Sequence, residues 1–166
     1  ILAVGGLERA ISAMEYFPDS CNILEAACQF IASLVSDKAT MDIVVAGGGL
    51  DAAIFAMYKA RNNSSLQFHA IHIIRVLLEE GMSRAAMHIA SAGGYEEVIS
   101  AMTIHTSNKE IQLEGCMILW LLGDHYHGCR QQIILAHGLM VLSEAIRIHG
   151  NDMDIARSAK MAMAML

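Results

Sequence analysis

IASAGGYEEVISAMTIHTSNKEIQLEGCMILWLL, the stretch from Ile89 to Leu122, decides the fold. Ile89 stands five residues ahead of Gly94, the pair Gly93-Gly94 interrupts the apolar run, and apolar residues return as far as Ala101-Met102. Glycine takes positive φ without steric cost, so the pair marks a sharp turn between two helices. Asn108 then precedes a longer apolar run that ends at Leu121-Leu122. Asparagine is a preferred N-cap, because its side-chain oxygen accepts a bond from the free amides of a first helical turn. Inside that run Ile111, Gly115 and Leu122 are four and seven residues apart, the spacing of one helical face, and the small residue between them lets a neighbouring helix come close. The stretch predicts a short helix, a glycine turn, a medium helix, a capped break and a long helix.

The same pattern runs through the whole chain, and an internal repeat takes precedence over any local reading. Gly5-Gly6-Leu7, Gly48-Gly49-Leu50, Gly93-Gly94-Tyr95 and, more loosely, His137-Gly138-Leu139 set a common origin, the second glycines falling 43, 45 and 44 residues apart. Eight residues after each second glycine stand Met14, Met57, Met102 and Ile146. Fourteen after it stand Ser20, Asn63, Asn108 and Asp152, all N-cap types. Position 17 carries Ile23, Leu66, Ile111 and Ile155; position 21 carries the small residues Ala27, Ala70, Gly115 and Ala159; position 28 carries Leu34, Leu77, Leu122 and Leu166. Five residues before each origin lie Ile1, Val44, Ile89 and Ile133, closing a short helix. The copies cover about 1–36, 37–80, 81–124 and 125–166 of a single domain.

A unit of this build and period resembles the armadillo repeat, over the full length of the chain. The copy at Ile89–Leu122 is similar to the variant in armadillo-only scaffold proteins and in the armadillo region of leucine-rich repeat kinases. Two-helix HEAT repeats have a similar period but lack the short helix and glycine pair, and tetratricopeptide and ankyrin repeats have periods near 34 and 33 residues. The resemblance implies an all-α, right-handed α-solenoid of about four three-helix repeats. Neither end of the sequence carries a polar capping repeat, so a piece of a longer array is expected, with self-association through its uncapped repeat ends.

Composition agrees with helices and narrows the function. A hydrophobic fraction of 55% against 17% charged excludes a disordered polymer, and the apolar residues are mostly Ala, Leu, Ile and Met, with only 5% aromatics and one proline, Pro18. The net charge of −6 and the lack of a Lys/Arg cluster argue against nucleic acid. No apolar run reaches the roughly 18 to 20 residues of a membrane span. Cys21, Cys28, Cys116 and Cys129 show no CxxC pairing, so a reducing, cytoplasmic setting is expected, with Cys28 and Cys116 as packing residues.

In armadillo proteins the longest helix of each repeat lines a concave groove, and the resemblance implies recognition of a peptide or helix there. Gln29, His72, Met117 and Met161 occupy position 23, and Ser33, Val76, Leu121 and Met165 occupy position 27. Importin-α carries Trp and Asn at the equivalent places; this sequence has no such asparagine ladder. Trp120, the sole tryptophan, stands at position 26 beside Arg75 of the preceding copy. Met117, Trp120 and Leu121 make an apolar end of the groove or else pack against an adjacent helix. Phe68, His69, His72 and Arg75 form a second patch, either an anion site or a solvated surface.

His125-Tyr126-His127-Gly128-Cys129 offers two imidazoles and a thiol, with Asp124 nearby, but lacks the second, separated ligand pair of structural zinc sites. Gly47-Gly48-Gly49 has no following Lys-Ser/Thr to hold phosphate, and neither Gly-x-Ser-x-Gly nor HExxH occurs. The expectation is a non-catalytic interaction scaffold or adaptor with no cofactor or metal. The alternative is the regulatory armadillo region of a larger enzyme such as a kinase.

Overall fold

The computed structural model describes residues 2–80 and 83–166, with side chains for 5–80 and 85–166; Ile1, read as the close of a first short helix, lies outside them. Among the described residues the protein is all-α, without a strand. A first pair, α1 (Leu2–Tyr16) and α2 (Cys21–Val35), is followed by α3 (Lys38–Ala46), α4 (Gly49–Lys59) and α5 (Ser64–Glu79). Then come α6 (Ser83–Ser91), α7 (Gly94–Ile104) and α8 (Lys109–His125). After a 3-10 turn at His127–Cys129 the chain ends in α9 (Arg130–Leu135), α10 (Gly138–His149) and α11 (Met153–Met165).

Two rows of helices share one core. In one row α2 packs on α5, α5 on α8 and α8 on α11; in the other α1 meets α4, α4 meets α7 and α7 meets α10. Medium and long helices also pair across the rows, and one cluster of buried side chains runs without a break from Leu7 to Ala162. The small residues at position 21 sit deep in it. Ala70 and Ala159 are fully buried, and a Cβ on Gly115 would lie 2.6 Å from the Met102 side chain.

The glycine pairs divide two tasks. Gly48 and Gly93 take φ of 81° and 73° as the chain turns into α4 and α7, and α3 meets α4 at 70°. In the fourth copy His137 occupies the same place with φ 68°. The second glycine is needed for contact: a Cβ on Gly49, Gly94 or Gly138 would come within 2.6, 2.8 or 2.5 Å of the side chain of Val44, Ile89 or Ile133. The turn expected at Gly5-Gly6 does not form, and α1 runs through both residues.

The caps follow the expected residues with one exception. Asn63, Asn108 and Asp152 accept from the amides of Leu66, Ile111 and Ile155 at 3.1, 3.1 and 3.4 Å. Ser20 has the extended backbone of an N-cap but makes no side-chain bond. At the other ends, buried glutamines satisfy free carbonyls. Gln67 donates to Met57 and Ala60 at 2.9 and 3.2 Å, and Gln112 donates to Met102 and His105 at 2.8 and 3.2 Å. No single helix among the described residues is long and apolar enough to cross a membrane.

Candidate functional site

The long helices α2, α5, α8 and α11 carry every residue proposed for the groove. Gln29 and Ser33 on α2 are exposed, and the Ser33 hydroxyl donates back to the Phe30 carbonyl at 2.6 Å. Phe68, His72, Arg75 and Val76 on α5 are half-buried, as are Met117 and Trp120 on α8 and Met161 and Met165 on α11. Leu121 differs: it is 5% exposed and belongs to the core. Leu121 therefore presents little surface to a groove.

Phe68, His72 and Arg75 come together, but the Arg75 cation is not free. The Phe68 ring lies 5.5 Å from His69 and 6.1 Å from His72, centroid to centroid. Arg75 donates through Nε to Glu114 on α8 and pairs through Nη1 with Glu79, while His72 Nδ1 lies 3.4 Å from Glu114 Oε1. Burial acts to lower the Arg75 value, and the Glu114 and Glu79 carboxylates outweigh it, holding the guanidinium above its ordinary range. The patch is thus a satisfied ion cluster that ties α5 to α8, not an open anion site. Nearer α2, Glu25 is held below the usual carboxylate range by a bond from Asn63 at 2.8 Å, with Ser65 and His69 adding to it.

Between α8 and α11 a cleft of about 370 Å³ opens, lined by Leu113, Met117, Trp120, Asp154, Arg157, Ser158 and Met161. It unites three expected residues, Met117, Trp120 and Met161, all half-buried, with the exposed Asp154 and Arg157. Trp120 also packs against the core, so it is half-buried while it lines the cleft. Gln29, Ser33 and the Phe68 cluster lie outside this cleft. Reading by position missed Glu114, Asp154 and Arg157. Glu114 was findable in principle, since a carboxylate at position 20 of one copy faces the imidazole and guanidinium side chains at positions 23 and 26 of the copy before. Asp154 and Arg157 gave no signal beyond being charged residues on a helix.

The His125–Cys129 cluster is pulled apart by its own bonds. Cys129 is buried and its thiol donates to the Tyr126 carbonyl at 3.1 Å. His127 Nδ1 lies 3.3 Å from the Gly123 carbonyl, and His125 faces Asp124 at 3.9 Å. Among the described residues no three His, Cys, Asp or Glu side chains converge as a metal site would require. Burial pushes Cys28 and Cys116 up to about 12 and raises Cys129, so these sulfurs stay protonated at neutral pH. A thiol in that state is neither a nucleophile nor a ready ligand.

No protein-family model, curated protein or solved structure matches this chain.

Proposed function

We propose that the chain is an armadillo-type, right-handed α-solenoid of about four three-helix repeats, and that it serves as a non-catalytic scaffold. It binds a peptide or helix of a partner protein along the row formed by α5, α8 and α11. The repeat reading draws support from the 43-to-45-residue sequence period and from short, medium and long helices succeeding one another three times. The binding reading is carried by one observation, the cleft lined by the half-buried Met117, Trp120 and Met161 together with the exposed Asp154 and Arg157.

That arrangement suits an apolar side chain projected from a partner backbone. Methionines adapt their shape to what they contact, and a half-buried tryptophan offers a large anchor at low entropic cost. The Arg75–Glu114–Glu79 cluster elsewhere on the same row has its charges already paired. Partner charges would meet Arg157 and Asp154 at the rim, where exposed pairs steer and orient more than they tighten.

The test is selection of peptides from a random displayed library against the chain, followed by titration of one winner against the parent and a Met161→Glu variant. Loss of binding with an unchanged melting curve supports the cleft. Undiminished binding by the variant, or crosslinking of the peptide to α1, α4, α7 or α10, overturns it.

A further inference from the structure

The row of α1, α4, α7 and α10 makes three joints, where positions 9 and 12 of one copy approach positions 2, 3 and 6 of the next. At the α4–α7 joint an arginine of the chain itself bridges the two copies. Arg61, at position 12, donates to both oxygens of Glu97, at position 3, over 2.8 and 3.3 Å. Its guanidinium carbon lies 4.9 Å from the ring centroid of Tyr58, at position 9. The Arg61 side chain is still 45% exposed although α1 packs beyond α4 and α10 beyond α7, so this side of the row stays open to solvent inside the stack. At the α7–α10 joint a cleft of about 280 Å³ is lined by one carboxylate, Glu144, and both its oxygens already accept from Arg147 at 2.6 and 2.7 Å.

The α1–α4 joint offers the same kinds of group and no cation of its own. Its cleft, about 490 Å³, is lined by the buried Met14 and Ala52, the half-buried Ile11 and the Phe55 ring, which is 37% exposed. Two exposed carboxylates complete it, Glu15 at position 9 and Asp51 at position 2. One Asp51 oxygen lies 2.6 Å from His88 Nε2. Position 12, which is Arg61 in the second copy, is Pro18 in the first, so the chain supplies no guanidinium here. Lys59 stays outside the lining: its Nζ bonds Asp19 at 3.0 Å and lies 5.9 Å from the Phe55 ring centroid. The cleft lies where α1 and α4 meet, at a joint made within the chain.

We propose that this cleft takes an arginine side chain of a partner protein, which does there what Arg61 does one joint later. The methylene stem covers Ile11 and Met14 while the guanidinium pairs with Glu15 and Asp51 beside the Phe55 ring. Arginine suits the cleft better than lysine, because its planar fork bonds carboxylates in pairs and also stacks on an aromatic face. The net charge of −6 adds a longer-range attraction for a cationic partner. This assignment is independent of the cleft between α8 and α11.

The probes are capped pentapeptides, Ala-Ala-X-Ala-Ala, in which X is arginine, lysine or citrulline, the last an uncharged isostere of arginine. Each is titrated into the full chain by methyl-detected NMR, with Ile11, Met14 and Ala52 as reporters. The arginine peptide is expected to shift these methyls, to bind more tightly than the lysine peptide and about fivefold more tightly than the citrulline peptide, and to weaken in high salt. The double variant Glu15→Gln/Asp51→Asn, changed only at exposed side chains, is expected to weaken it about fivefold or more. Glu144→Gln, at the joint whose carboxylate is already paired, is expected to leave it unchanged. Methyl spectra that match the parent away from the cleft show that the variants fold. Absence of binding, equal binding of the three peptides, shifts confined to other methyls, or undiminished binding by the double variant each overturns the proposal.

Discussion

His149 Nε2 lies 2.7 Å from the carbonyl oxygen of Thr106, and His105 Nε2 lies 2.7 Å from the carbonyl oxygen of Arg61 one copy earlier. Each bond fastens the end of a medium helix to the loop after the medium helix before it. A carbonyl only accepts, so Nε2 carries the proton in both rings. His149 is 8% exposed, and truncating it strips a partly buried carbonyl of its partner. His149→Ala is expected to lower stability by about 1 to 3 kcal/mol, read from urea unfolding midpoints. His105→Ala, at a more exposed ring, is expected to cost less; equal and negligible losses would show that the bonds add nothing to cohesion.

The fourth turn holds a strain that the others avoid. His137 adopts φ 68° where Gly48 and Gly93 stand in the earlier copies. A residue with a Cβ pays roughly 1 to 2 kcal/mol in this left-handed region, less the larger folding entropy of glycine. His137 is exposed, so little packing is lost with the ring. His137→Gly is expected to raise stability by about 1 kcal/mol, measured by thermal or urea unfolding. Gly93→Ala is the mirror experiment and is expected to lower it by a similar amount.

Asp152 gives the fold a specific acid sensitivity. Its bond from the Ile155 amide, with Lys109 Nζ at 3.4 Å, holds its carboxyl below the ordinary range. The unfolded chain therefore takes up the proton more readily than the folded one. The contribution is complete above the unfolded-state carboxylate range and is lost as pH falls through the lower folded value. Asp152→Asn keeps an N-cap acceptor but removes the titration. Unfolding curves at neutral and acidic pH are expected to show the parent losing its advantage over this variant on acidification; a constant gap would mean that the carboxylate contributes nothing.

Helices, glycine turns and caps were legible because they depend on residues near one another in sequence. Apolar spacing and composition foretold an all-α chain, and Gly48 and Gly93 were marked by pairs that recur at a fixed period. Gly5-Gly6 looked the same in sequence but formed no turn, since a glycine permits a bend without imposing one. Ser20 likewise has N-cap chemistry and no cap bond. The surface was harder to read because its character is set between helices. Arg75 looked like a free cation until Glu114, 39 residues later, met it from α8. Leu121 looked available but is buried, while Trp120, one residue earlier, is half-buried and lines the cleft.

Trp120 and Leu121 therefore allow binding and folding to be separated by neighbouring substitutions. Leu121 is buried, so Leu121→Ala is expected to cost about 2 to 5 kcal/mol of stability. Trp120 is half-buried, and Trp120→Ala should cost less than the roughly 3 to 5 kcal/mol typical of a fully enclosed tryptophan. The order reverses for a peptide selected against the chain. Truncating the anchor in the cleft is expected to weaken binding by about 2 kcal/mol or more, whereas the folded fraction of Leu121→Ala binds as the parent does. Trp120 is the sole tryptophan, so its emission reports on the cleft directly. A seated apolar side chain displaces water from the exposed part of the indole and is expected to shift the emission to shorter wavelength. Titration of the parent by fluorescence, beside calorimetric titration and melting of both variants, gives the comparison. If emission stays fixed through saturation and Trp120→Ala binds normally, the partner does not use this cleft.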